Sequence, residues 1–215
     1  MDKSGQWSVI MRLKNVDIFW GLNLFLFLWM CQFAYVDRFV EYRGEGNIHE
    51  FFIYALLIII TLGFGWKYFR QFEVPSYILV FVQVGILIHF SGGLLEIGGQ
   101  RLYDNSILGI RFDKYVHLIN AFIAAVIMNY ILFLFNVRVP RFKYLFVIFI
   151  VLGLGAVIEI VEYLVMLTVP GNGVGDYHNN MQDLLANLAG CSLFFLFFKV
   201  KNRNPQQIKS TKLIR

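Results

Sequence analysis

Glu159 and Glu162 stand three residues apart in a stretch that is otherwise small or aliphatic, GLGAVIEIVEYLV. On a helix that spacing puts both carboxylates on one face. Two carboxylates held together suit acid and base catalysis or work at a metal ion. Other apolar stretches carry similar groups. His89 lies in GILIHFSGG. Asp113 and His117 are four apart, with Asn120 following on the same side. Asp183 and Asn187 are four apart, with Gln182 nearby. Ionisable side chains are costly in hydrocarbon, so each marks a candidate functional site. Carboxylate and imidazole groups at these spacings are how helix bundles build inward-facing metal sites. On that reading the ligands of a divalent metal come from His89, His117, Glu159, Glu162 and Asp183. No compact motif such as HExxH supports it.

The elements that must position these groups are membrane helices. The chain has 215 residues, 58% hydrophobic and only 15% charged, with mean hydropathy +0.63. A soluble domain carries about 25% charged residues. The apolar residues fall in blocks at 16–36, 51–68, 75–96, 116–136, 143–167 and 183–198. Most are long enough to cross a hydrocarbon core of about 30 Å. The expected fold is all-α, a polytopic bundle of about six spans. Residues 1–15 form an N-terminal segment, 16–198 the transmembrane domain and 199–215 a basic tail. Pro75 and Pro140 sit at helix starts, and Pro170 follows the fifth span. The first fourteen residues lack the apolar core of a secretory signal. Cys31 and Cys191 read as packing residues. GNGVG lacks the spacing and the preceding strand of a dinucleotide fingerprint.

Six spans put both termini on one side. One face then holds fourteen lysines and arginines and the other five. By the positive-inside rule both termini are cytoplasmic. The net charge of +5 is explained by a basic tail beside anionic lipid, with no call for nucleic acid. Under this topology His89, His117, Glu159, Glu162 and Asp183 all fall in the outer halves of their spans. The loop QRLYDNSILGIRFDK is amphiphilic and is expected on the interface. Its Arg101, Arg111 and Lys114 are placed to meet a lipid phosphate.

Four readings stay open for the polar groups: a network fixing helix register, a metal site, a pocket for a lipid headgroup or other amphiphile, and an ion pathway. The function expected first is an envelope protein that binds an amphiphile on its outer side. The alternatives are a membrane enzyme acting on a lipid or lipid-linked phosphate, with or without a metal, and a small transporter. The inner halves of the spans carry few polar groups, which weighs against transport.

Four segments resemble the YjdF-like inner-membrane proteins, themselves similar to the wider VanZ-like group. RFDKYVHLINAFI resembles their YDxxGHFxxGFV motif at Asp113, His117 and Phe122. AVIEIVEYL resembles their YExxEW segment at Glu159 and Glu162. GDYHNNMQDLLANLAG resembles GDxxDTxxDM and the helix after it, at Gly175, Asp176, Asp183 and Gly190. His89 and Gly92 resemble their His-x-x-Gly. The resemblance spans about residues 80–195, adds Asp176 to the polar set, and implies a multi-pass protein of the bacterial cytoplasmic membrane. The VanZ-like relatives are linked to glycopeptide resistance, which points to the cell envelope. Val116 and Ala121 replace usual glycines, and Asn179 replaces the usual middle aspartate. A metal site relying on that aspartate would lack a ligand.

Overall fold

A computed structural model of the chain describes residues 13–139, 142–168 and 176–201. Six helical stretches are long and apolar enough to cross a membrane: Asn15–Glu41, Glu45–Phe69, Ser76–Leu94, Phe112–Leu134, Lys143–Thr168 and Tyr177–Lys199. The sixth begins six residues before the expected 183. Its first turns are polar, yet Asn179, Asn180 and Asp183 find internal partners, so the helix extends through them. Pro140, Arg141, Pro170 and the GNGVG segment with Gly175 lie outside the described residues. So do most of the N-terminal segment (1–12) and of the basic tail (202–215).

The chain forms two compact units, Met1–Val80 and Phe81–Arg215. In the first, α1 (Asn15–Met30) passes through a π turn at Cys31–Tyr35 into α2 (Val36–Arg43). Together they make one span. Gly44, at φ +80°, permits the reversal into α3 (Ile48–Phe69). Asp17 ties the start of α1 to the end of α3. Its carboxylate accepts from Trp66 Nε1 at 2.8 Å, Arg70 Nε at 2.8 Å and the Lys14 backbone N–H at 2.9 Å. The Lys14 ammonium donates in turn to the Arg70 carbonyl. Trp66, whose type suits the membrane interface, is anchored there by its indole N–H. Asp17→Ala removes three acceptor bonds at once, and the full chain in detergent is expected to unfold at a lower temperature. An unchanged midpoint would show that the clamp is incidental. Much of the remaining surface is apolar: Leu56, Leu57, Ile58 and Ile60 of α3 are exposed. In water such a face would be an aggregation hazard; in a bilayer it is the lipid-facing side.

The second unit holds the C-terminal part of α4 (Ser76–Leu94), then α5 (Phe112–Leu134), α6 (Lys143–Thr168) and α7 (Tyr177–Lys201). The segment between α4 and α5 is more ordered than an amphiphilic interfacial loop. It folds as two antiparallel hairpins, β1 (Glu96–Ile97) with β2 (Gln100–Arg101), and β3 (Ser106–Ile107) with β4 (Ile110–Arg111). Gly98 and Gly99 are both at positive φ, as are Leu108 and Gly109. That is what two-residue hairpin turns of right-handed twist require. Leu108 adopts it without being glycine, and its side chain is 93% exposed. The Asn105 amide donates to three carbonyls of the first hairpin and fixes it against the second.

The tightest packing is α5 on α7. Gly190 of α7 sits directly against the Leu118 carbonyl of α5. Val116, Ala121, Ala125, Val147, Val151, Cys191 and Phe194 make the buried core around this contact. Phe194 lies against Phe198 in a tilted pair, ring centroids 4.7 Å apart, and meets Tyr144 edge-on. Small residues let the backbones approach, which is how membrane helices gain packing where burial of apolar surface offers no advantage.

Candidate functional site

The polar groups of unit two converge at one end of α5, α6 and α7. Asp113, Lys114, His117 and Asn120 come from the first turns of α5, Asp183 and Asn187 from the start of α7, and Glu159 and Glu162 from the last turns of α6. The antiparallel run of α6 between α5 and α7 brings these ends together.

A buried ion-pair network lies between α5 and α7. The Lys114 ammonium is 2.7 Å from Asp183 Oδ1 and 3.0 Å from Asp113 Oδ2. It also donates to Asn179 Oδ1 at 2.8 Å. Asn179 returns its amide to Asp183 Oδ2, also at 2.8 Å. Asp183 is 1% exposed and Lys114 8%. Charges so far from water persist only when paired and hydrogen-bonded. Arg111 joins from the rim, donating to Asn179 Oδ1 and to Asp104. Arg101 also pairs with Asp104, at 2.9 Å. The three basic residues expected to meet a phosphate therefore face carboxylates of the same unit.

His117 bridges this network to a cavity. Its Nε2 is 3.5 Å from Asp183 Oδ1 and 3.7 Å from Asp113 Oδ1; its Nδ1 is 3.7 Å from Glu159 Oε1. These are ion-pair separations, longer than hydrogen bonds. The cavity is about 350 Å³, and its polar wall is His89, His117, Asn120, Glu159, Glu162 and Asn187. The rest is apolar, including Val116, Ala121, Val151 and Leu154. Glu159 is 3% exposed, and neither of its carboxylate oxygens has a hydrogen-bond partner. Asn180 holds that turn of α6 by donating to the Glu159 backbone carbonyl at 3.0 Å. So the backbone of Glu159 is fixed while its side chain is left unsatisfied.

His89 is reached differently. The Tyr103 hydroxyl donates to the His89 carbonyl at 2.8 Å and stands 2.7 Å from Nδ1. The Tyr103 ring packs on Gly92, where an added Cβ would collide with it. This accounts physically for a histidine followed three residues later by glycine. Asp176 lies apart from the cavity wall: it is exposed, and its carboxylate accepts from the Asn179 backbone N–H as a helix cap. Tyr103, Asp104 and Asn179 carry the network without having been read as site residues. Asn179 had a visible signal, standing four before Asp183 on one helix face. Tyr103 and Asp104 had none, because the short turn between the two hairpins brings them in.

Among the described residues, Asp113, His117 and Asp183 can present ligand atoms that all lie within 4.8 Å of one another. Only His117 and Asp183 belong to the set expected to bind metal. The Lys114 ammonium contacts both carboxylates of the trio, so the place of a cation there is taken by the chain itself.

A family model described as "Predicted membrane protein (DUF2238)" matches residues 18–204, and that description is consistent with the YjdF-like resemblance. No curated protein and no solved structure matches the chain.

Proposed function

This chain belongs to the DUF2238 family of membrane proteins, and on that premise we propose that it binds the polar head of a bilayer amphiphile in the cavity lined by His89, His117, Glu159 and Glu162. Glu159 carries the reading. A buried acceptor left without a partner costs about 1–3 kcal/mol, more when charged. A fold retains that cost where a guest supplies the missing donors. The cavity volume of about 350 Å³ falls within the range of about 300–1,000 Å³ usual for ligand pockets. Its wall, mostly apolar with a few polar groups, suits a head with hydrocarbon attached. Arg101, Arg111 and Lys114 are engaged by Asp104, Asp113 and Asp183. The head is therefore bound by its hydrogen-bond donors, with no phosphate clamp from these residues.

The setting of this function is the bacterial cytoplasmic membrane, with both termini inside and the cavity facing out. The fourteen-to-five split of basic residues supports that orientation. Kinship with the VanZ-like group and a role in the cell envelope rest on the matched segments around Asp113, Glu159 and Asp183. A second reading is a metal-assisted enzyme on a lipid-linked phosphate, favoured by the close approach of Asp113, His117 and Asp183. It requires Lys114 to leave its place, and elemental analysis of Lys114→Met beside the parent protein discriminates it.

Glu159→Gln tests the first reading, since it keeps the shape and removes the charge. The expected outcome is an unchanged unfolding temperature and a loss of co-purified amphiphile of about tenfold or more, because a hydrogen bond to a charged group contributes about 1.5–3 kcal/mol. Lipid extracts of the full chain in native nanodiscs, read by mass spectrometry, measure it. Equal retention in both proteins would leave Glu159 a purely structural residue.

A further inference from the structure

We infer that the guest is a cationic amphiphile, an amine-bearing head on an unbranched hydrocarbon chain, with the chain lying in the groove between α4 and α5. The inference rests on the proposal that the cavity receives a head. Two independent observations carry it further.

The first is the distribution of charge. Asp113 and Asp183 share the single ammonium of Lys114. The Arg111 guanidinium is closest to Asp104, at 2.9 Å, and 3.8 Å from Asp113. Among the described residues, no lysine or arginine lies within ion-pair distance of Glu159 or Glu162. Among the described residues, His117 is the basic group within ion-pair distance of Glu159, at 3.7 Å, and it is shared with Asp113 and Asp183. Carboxylates therefore outnumber cations around the cavity. An ammonium offers three donors and no acceptor. It meets both free oxygens of Glu159, with Glu162 on the same wall. An anionic head placed there would face Glu159 and Glu162 with no lysine or arginine of the described residues on the cavity wall.

The second is the shape of the apolar space. A groove of about 330 Å³ runs along α4 and α5, lined by Val82, Gly85, Ile86, Ile123 and Ile127. It shares His89, Asn120 and Ala124 with the cavity. The polar chamber and the hydrocarbon-lined slot therefore adjoin across His89, Asn120 and Ala124, where a head in one leaves its chain next to the other. A Cβ at Gly85 would sit 2.8 Å from Asn120 Oδ1, so glycine there leaves the Asn120 amide in its place on the wall of both spaces. From Val82 to His89 the groove follows two turns of helix, about 10 Å at about 1.5 Å per residue.

The test uses the full chain in phosphatidylcholine nanodiscs, with empty nanodiscs as the partition control. Equilibrium dialysis follows radiolabelled dodecylamine, dodecanol, dodecyl phosphate and butylamine. Saturable binding of dodecylamine is expected at least about tenfold tighter than that of the other three, a preference of about 1.4 kcal/mol. Glu159→Gln should abolish the preference for amine over alcohol. Ala124→Phe, or Ile86→Trp if the first variant folds poorly, should bring dodecylamine down to the level of butylamine. Dodecanol or dodecyl phosphate binding as tightly as the amine, with Glu159→Gln still losing its co-purified amphiphile, would overturn the cationic guest and spare the head-binding function. Butylamine binding as tightly as dodecylamine would overturn the groove. No saturable binding of any probe, with unchanged amphiphile retention in Glu159→Gln, would remove the head-binding function itself.

Discussion

Lys114→Met is expected to destabilise the protein by about 3–5 kcal/mol, the usual cost of stranding a buried charge by removing its partner. The ammonium makes close contacts to Asp183, Asp113 and Asn179. Methionine keeps the length of the side chain and supplies none of its donors. Asp183, 1% exposed, would then keep the Asn179 amide as its hydrogen-bond partner and would face Asp113, with His117 at 3.5 Å as the basic group left within ion-pair distance of it. The double variant Lys114→Met/Asp183→Leu should recover much of the loss, since replacing both members of a buried pair by apolar groups is often neutral. Unfolding in a denaturing detergent, monitored by circular dichroism, gives both numbers. A single variant as stable as the parent would mean that the network is not what holds α5 to α7. A double variant no better than the single would mean that Asp183 has a second role in the fold.

Lys114 also marks the limit of what a sequence specifies. Hydropathy located all six spans, because a bilayer demands about 20 apolar residues whatever the packing. It also placed Glu159, His117 and Asp183 in the corresponding halves of alternating spans. Their approach follows once α5, α6 and α7 pack as neighbours. What hydropathy could not locate is the direction of a side chain near a helix end. Lys114 follows Asp113 at the start of α5, beside Arg101 and Arg111, and that setting reads as a headgroup contact. The structure turns it inward, because Asn179 and Asp183 on α7 offer it buried acceptors across 65 and 69 residues of chain. The same limit hid the tie between Tyr103 and His89, which depends on two hairpins whose turns place Leu108 at positive φ. The early start of the last span has the same cause, since a polar first turn looks like loop until its partners are known.

The contact most sensitive to a single methyl group is Gly190. Gly190→Ala is expected to cost about 1–3 kcal/mol, the range for overpacking a filled interior, and to weaken the site as well. The added Cβ would fall on the Leu118 carbonyl oxygen, 3.0 Å from its carbon and 3.1 Å from the Ala121 Cβ. Two of these three neighbours are backbone atoms, so no rotamer change relieves the clash and α5 and α7 must separate. Those helices carry Lys114 and Asp183, whose 2.7 Å contact would lengthen with them. Two other glycines serve as controls. At Gly155 the new Cβ would meet the Asn187 amide nitrogen at 3.0 Å, the end of a side chain that has room to turn into the cavity. Gly155→Ala should cost less than Gly190→Ala. At Gly153 nothing lies within 4 Å, and alanine should stabilise the helix by about 0.5–1 kcal/mol. Unfolding midpoints of the three variants should therefore rank Gly153→Ala highest and Gly190→Ala lowest. Three equal values would show that the α5–α7 contact is looser than its geometry, and that the ion pair beside it is not held in place by helix packing.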